Sequence, residues 1–288
     1  MFVDSHCHVH FRAYKDEQDE LIKKTLESGV FMVTVGTDKE TSCEAIECAE
    51  KYNGVFATIG LHPEHVIDQT FFDENESAEH HPAETFDPDF YRTLAKSKKC
   101  VAIGECGLDY YRMPEGIDRD AAIIKQKQTV RAHFDLADEL GLPVVVHCRD
   151  AYADQLAINQ EYLDAGKLKR RGVIHCFAGT LENARAFIAQ GFYLGFTGVI
   201  TFPARKTDVL VDGLTETQQI IREMPIDQMF IETDSPYLTP IPFRGKRNEP
   251  SYVKYVAQKI AEIRGVSIEE IEHATTDNAK RLFRLAIE

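Results

Sequence analysis

Six residues carry the chemistry that can be read from this chain. The first run is Asp4-Ser5-His6-Cys7-His8. Residues two apart on a strand point to the same face, so His6 and His8 are placed to aim at one metal ion. A carboxylate, Glu105, follows the apolar run 101–104 and sits between Gly104 and Gly107. Burying such a charge unpaired is expensive, which makes it a candidate bridge between cations. His147 ends the run Pro143-Val144-Val145-Val146, His175 ends Gly172-Val173-Ile174, and Glu232-Thr233-Asp234 ends Met229-Phe230-Ile231. Imidazole nitrogens and carboxylate oxygens without thiolates suit Zn, Mn, Fe or Co, and more loosely Mg. Such a set exceeds one tetrahedral site and fits two ions about 3.5–4 Å apart. Cys7, Cys106, Cys148 and Cys176 each stand one residue from a proposed ligand, and strand alternation turns them away, so they are not expected to ligate.

These polar residues share a position: each stands at the end of a β-rich run. Strands are predicted over 2–6, 31–35, 55–59, 101–104, 144–147, 172–175, 192–196 and 229–232. Helices are predicted over 16–28, 39–52, 88–97, 118–140, 151–165, 181–190 and 215–223. Eight strands alternating with helices predict an α/β fold of the TIM type, a (β/α)₈ barrel, in which the C-terminal strand ends converge on the reactive face. No G-x-G-x-x-G follows the first strand to favour an open doubly wound sheet. A Pro-rich loop, 236–250, follows the last strand. Extra C-terminal helices near 250–264, 267–273 and 275–286 have no strands of their own and are expected to pack on the barrel. The prediction is one domain over 1–288. Segment 68–90, rich in Asp and Glu, reads as a long acidic surface loop away from the strand ends, with His80 and His81 as surface histidines.

Composition narrows the function. The 288 residues include 33 Lys and Arg against 47 Asp and Glu, a net charge of −14. That excludes a coat protein holding nucleic acid by bulk charge, but not an enzyme that meets phosphate through metal ions. The N-terminus lacks the features of a signal peptide, no apolar run approaches a membrane span, and the seven cysteines contain no C-x-x-C pair. A cytoplasmic monomer with no membrane association is expected.

The motifs together resemble the TatD-type metal-dependent deoxyribonucleases of the amidohydrolase-like superfamily. The resemblance rests on Asp4 to His8, Gly60-Leu61-His62-Pro63, Ile103 to Tyr110, His147-Cys148-Arg149, His175-Cys176-Phe177, Glu232 to Leu238, Arg247-Asn248-Glu249-Pro250 and Thr276-x-Asn278-Ala279-x-Arg281-Leu282-Phe283. These occur in the family's order from residue 3 to about 284. Segment 68–90 is longer than expected of compact members. The resemblance implies two divalent ions (Mg, Mn or Zn). His6, His8 and Asp234 would hold the first, His147 and His175 the second, with Glu105 bridging. It further implies 3′–5′ hydrolysis of DNA, with single-stranded 3′ ends as the substrate partner.

On this reading an activated water attacks phosphorus in line, and Asp234 serves as both ligand and general base. His62, Arg149 and Arg247 are expected to contact phosphate. Glu232 is expected to orient a ligand histidine, and His10 to lie at the surface. The rival enzymatic readings are hydrolysis of a small-molecule amide or ester and aminoacyl-tRNA deacylation. The non-enzymatic rival is a barrel stabilised by a structural metal.

Overall fold

The computed structural model describes residues 1–68, 73–77 and 82–287. Eight parallel strands pair in chain order. They are β1 (Phe2–Cys7), β2 (Val30–Val35), β3 (Val55–Ile59), β4 (Cys100–Asp109), β5 (Val144–Arg149), β6 (Gly172–Ile174), β7 (Tyr193–Phe196) and β8 (Met229–Ile231). Between them run α1 (Gln18–Glu27), α2 (Lys39–Lys51), α3 (Pro88–Leu94), α4 (Arg119–Leu140), α5 (Tyr152–Asp164), α6 (Leu181–Ala189) and α7 (Glu216–Glu223). This is the TIM-type barrel that the alternation predicts.

Two apolar layers hold it. Val3, Val33, Phe56, Val101, Val145, Val173 and Phe230 come from seven of the strands and form one buried cluster, with Tyr193 of β7 packed against it. That cluster fills the barrel. Side chains such as Met32, Ile59, Ile103, Val144, Val146 and Leu194 belong to the other cluster, packed with helix residues such as Ile22, Ile46, Phe134, Ile158 and Phe187. Strands apolar on both faces are what a fully covered parallel sheet requires.

β1 and β8 are joined by hydrogen bonds beyond the ladder. The Ser5 hydroxyl donates to Ile231 O at 3.0 Å, and Thr233 N donates to Asp4 Oδ1 at 2.9 Å. Past the strand, Asp234 N donates to His6 O and His8 N donates to Ser235 O, both at 2.8 Å. This seam brings the first and last motifs of the chain side by side.

Two predicted details differ. β4 does not stop at residue 104 but continues through Glu105 to Asp109. Glycine permits this: a Cβ at Gly107, where φ is +139°, would lie 1.9 Å from His147 O of β5. Second, the separate helices expected at 267–273 and 275–286 are one helix. After α8 (Val253–Arg264) comes α9 (Ile268–Phe283). The stretch contains no breaker, and the buried Thr275 hydroxyl donates to Ile271 O at 2.8 Å, satisfied within the helix. Ala279, Leu282 and Phe283 of α9 pack onto the cluster inside the barrel.

Candidate metal centre

The strand ends place their polar residues around one cavity of about 590 Å³, lined by His8, His62, Glu105, His147, Arg149, His175 and Asp234 among others. His8 spends Nδ1 on Val35 O at 2.7 Å, which leaves Nε2 3.4 Å from Asp234 Oδ1. His6 Nε2 lies 3.3 Å from Glu105 Oε2 and 3.7 Å from Asp234 Oδ1. His175 Nε2 stands 3.5 Å from the same Asp234 oxygen, while its Nδ1 is 2.8 Å from Glu232 Oε1. His147 presents Nδ1 to Glu105 Oε1 at 3.2 Å and pairs Nε2 with Asp109 Oδ2 at 2.9 Å. His62 Nε2 is 3.6 Å from Glu105 Oε1. Asp234 occupies left-handed backbone at φ 56°, where its N–H is fixed to His6 O at 2.8 Å.

Burial and charge oppose one another here. Burial alone would raise the Glu105 carboxyl, but His6, His62 and His147 hold it well below the usual carboxylate range. Burial would likewise raise Asp234, and the surrounding imidazoles, His175 foremost, lower it instead. Burial would lower His147, but Asp109 and Glu105 lift it to about 9. For His175, Glu232 and Asp234 overcome burial and raise it well above 6.5. His6 goes the other way, lowered by burial and by His175. Neither ring nitrogen of the buried His6 has a hydrogen-bond partner. A buried imidazole left without a donor or acceptor, facing ionised carboxylates, is the environment a divalent cation satisfies. The nitrogen and oxygen donor set fits such an ion.

Among the described residues, ligand atoms gather in the groups His6–His175–Asp234, His6–His8–Glu105, His62–Glu105–His147 and Asp38–His65–Glu76. His175 therefore lies with His6 and Asp234, and the residue standing with His147 and Glu105 is His62, which the sequence reading had placed on phosphate. Cysteine enters none of these groups. Cys7 and Cys106 turn away, with Sγ toward Val33 O and Val145 O. Cys148 and Cys176 do line the cavity, contrary to expectation. For Cys176 the reason is that β6 has ended before it and its φ is 45°, whereas Cys148 is still within β5.

Arg149 reaches the cavity, with its guanidinium 3.8 Å above the Tyr111 ring. Arg247 does not line it. That guanidinium lies over the Tyr14 ring and is held by Glu17 and Ala13 O, so local pairing explains it without phosphate. His10 is buried rather than at the surface, its Nδ1 2.7 Å from Thr34 Oγ1, because the chain after β1 tucks under Phe11 instead of leaving the barrel.

The acidic segment also departs from expectation. Asp73 and Glu76 line the cavity: the Tyr237 hydroxyl donates to Asp73 Oδ2 at 2.6 Å, and Glu76 Oε1 is 3.1 Å from His65 Nε2. Composition alone could not show that these carboxylates find partners at the strand ends. His80 and His81 lie outside the described residues.

Asp109 is the functional candidate that sequence reasoning missed. It fixes His147 through Oδ2, and its Oδ1 accepts Tyr111 N and Arg112 N at 2.8 and 2.7 Å. Its signal was its place four residues after Glu105, on the same face of an extended strand.

The comparisons with known proteins agree with this geometry. The model of the family described as TatD related DNase matches residues 3–284. The chain belongs to the TatD family. It is 40% identical over 288 residues to the uncharacterized metal-dependent hydrolase YabD of Bacillus subtilis, covering 99% of this chain and 100% of the relative. It is 35% identical over 275 residues to the 3′–5′ ssDNA/RNA exonuclease TatD of Cronobacter sakazakii, covering 94% and 93% of the two chains. The crystal structure of YjjV, a TatD homologue from Escherichia coli, superposes with a TM-score of 0.80 at 26% identity, covering 98% of each chain. This TatD-family chain is a metal-dependent hydrolase.

Within that frame Glu232 can be tested. It is fully buried, and Gly195 of β7 makes room for it: a Cβ there would stand 2.4 Å from the Glu232 carboxylate. Glu232→Gln keeps the volume and removes the charge beside His175. Divalent-ion affinity is expected to fall about 10- to 100-fold, the usual cost of losing a carboxylate behind a ligand histidine. Titration of the metal-free protein against a chelating indicator measures it, with unchanged circular dichroism as the control. Equal affinity in the variant would remove Glu232 from this role.

Proposed function

We propose that this hydrolase cleaves phosphodiester bonds of nucleic acid, acting on DNA from single-stranded 3′ ends with two divalent ions, Mg, Mn or Zn. The observation that carries the reading is the convergence of His8, His62, Glu105, His147, His175 and Asp234 on one cavity that also receives the cation of Arg149, with the buried His6 within 3.7 Å of Glu105 and Asp234. His6, His8, His175 and Asp234 would hold one ion, His62 and His147 the other, with Glu105 between them. Bound there, divalent cations supply Lewis acidity toward a phosphoryl oxygen and make water a better nucleophile.

The protein's own groups do the rest. The Asp234 side chain is 17% exposed against 4% for Glu105, so it is the carboxylate open to the cavity and takes the proton of the attacking water. Asp109 and Glu232 fix the rings of His147 and His175. Arg149 neutralises the phosphate that remains. Arg112, paired to Glu64 at 2.9 Å, keeps a second cation at the wall.

The charge balance supports ends over duplex. A net charge of −14, with Asp73 and Glu76 on the cavity wall, opposes a tight non-specific grip on double-stranded DNA. Weak, distributive removal of terminal nucleotides fits both. The seven unpaired cysteines fit a reducing compartment such as the cytoplasm. No described helix is long and apolar enough to cross a membrane.

The test compares labelled single-stranded DNA blocked at its 3′ or 5′ end, the matching RNA and duplex, an aminoacyl-tRNA, and a panel of lactones and cyclic amides, all with each metal added. Cleavage of unblocked single strands at least about 100-fold faster than of any ester or amide is expected, a margin of about 2.7 kcal/mol in transition-state binding. Faster turnover of an ester or amide would replace this reading with the small-molecule one.

A further inference from the structure

Tyr111 is the most exposed aromatic side chain among the described residues, at 61%. Nothing in the core accounts for its position, yet its backbone is fixed. Its N–H donates to Asp109 Oδ1 at 2.8 Å, and the other oxygen of that carboxylate holds His147. The ring is therefore registered to the metal centre through one residue. Its partner is equally well placed. Arg149, two residues beyond His147, lines the cavity and stacks its guanidinium on the Tyr111 ring with 3.8 Å between Cζ and the centroid. No ion pair neutralises Arg149 among the described residues, although Asp150 is its neighbour in sequence. No other aromatic ring packs on Tyr111 among them.

An aromatic ring held at a rim over an unneutralised guanidinium presents two complementary surfaces. The cation faces phosphate in the cavity, and the ring offers a flat apolar face just outside it. A nucleotide carries both counterparts, one charge and one planar base. Stacking on such a ring is tolerant of base identity because every base has a π-face. The guanidinium beneath makes the stack a three-layer one, to which the cation contributes. This explains why a large apolar side chain is left in water beside the catalytic cavity. Two other arginines stack on rings, Arg244 on Phe202 and Arg247 on Tyr14, but neither arginine lines the cavity, Tyr14 is fully buried and Phe202 is only half-buried rather than exposed.

We propose that Tyr111, seated on Arg149 at the rim of the cavity, is a stacking platform for one nucleobase of the substrate, next to the phosphate that Arg149 contacts. The inference rests on the nucleic-acid reading above and deepens it. It assigns Tyr111 to substrate selection: nucleotides that carry a base are held, and strand ends that have lost theirs are held less well.

The experiment uses full-length, metal-loaded protein and two trinucleotides. One carries 2-aminopurine at both ends; the other carries tetrahydrofuran abasic residues at both ends, so the direction of attack does not matter. The ratio of kcat/KM between them is compared for wild type, Tyr111→Ala and Tyr111→Phe. One base stacked on an aromatic side chain changes binding by about 5- to 150-fold. Wild type is expected to favour the base-bearing trinucleotide at least about tenfold. Tyr111→Ala should collapse that ratio and Tyr111→Phe should restore it. Quenching of 2-aminopurine fluorescence on binding to Asp234→Asn protein gives a readout independent of turnover, and adding Tyr111→Ala should abolish it. A purely supporting role for Tyr111 under Arg149 would slow both substrates equally and leave the ratio and the quenching unchanged, which would overturn the proposal. So would a wild-type ratio near one. If wild type cleaves neither trinucleotide, the nuclease reading fails instead, while the fluorescence measurement still decides whether a base stacks on Tyr111.

Discussion

Asp234→Asn is expected to lower hydrolysis by about 10³-fold or more while leaving the barrel folded. The size follows from the two tasks given to one carboxylate. Loss of a positioned general base alone costs about 10²- to 10⁴-fold, and the same change removes a charged ligand. The amide has nearly the volume of the acid, so packing at the seam is kept. The backbone contact of Asp234 N to His6 O survives, as it uses no side-chain atom. What is lost is the negative charge that faces the Nε2 atoms of His6, His8 and His175 at 3.4–3.7 Å. Initial rates on a labelled single strand, beside melting curves and circular dichroism, separate the chemical loss from unfolding. A folded variant that hydrolyses within about tenfold of wild type, a change of about 1.4 kcal/mol, would remove Asp234 from the centre of the mechanism.

Much of this arrangement was legible before any coordinates. Glu105, His147, His175 and Asp234 could be picked out because they stand at the C-terminal ends of apolar runs, and His6 and His8 because they alternate at the end of the first predicted strand. In a parallel barrel such ends converge. That inference needs only strand periodicity and topology, both local signals. What stayed hidden depends on how side chains meet across strands. The pairing of His147 with Asp109, rather than a choice between His62 and His175 as its neighbour, is fixed by the β4–β5 register that sets Gly107 opposite His147. Sequence spacing does not report that register. Arg247 looked like a phosphate contact because its loop is basic, but Glu17, distant in sequence, reaches it first. Asp73 and Glu76 looked like solvated loop charges, and they return to the cavity because Tyr237 and His65 bind them there. His10 looked exposed because β1 had ended; burial after a strand is a tertiary fact. The merged helix α9 is the converse case, where the lack of a breaker at 274 was the better guide.

The second large effect concerns the metal. His6 has no hydrogen-bond partner at either ring nitrogen, and the carboxylates of Glu105 and Asp234 are held ionised by the imidazoles around them. Without a divalent ion, the described lining offers a phosphodiester only side-chain cations such as Arg149 and the Glu64-paired Arg112, and a single charge-assisted contact of that kind contributes only about 1.5–3 kcal/mol. Stripped protein is therefore expected to be inactive but folded, since the apolar layers that fill and wrap the barrel do not involve the site. Removal and return of the ion should then switch hydrolysis off and on.

The most direct measurement is hydrolysis of a 5′-labelled single-stranded oligonucleotide by chelator-treated protein, with ion content determined on the same sample and Mg, Mn or Zn added back separately. The account predicts a loss of at least about 10³-fold on depletion, in line with the several kcal/mol that metal ions supply to phosphoryl chemistry. It also predicts recovery as about two ions per chain rebind, and no recovery in Asp234→Asn. Full activity in protein shown to hold no metal would contradict it.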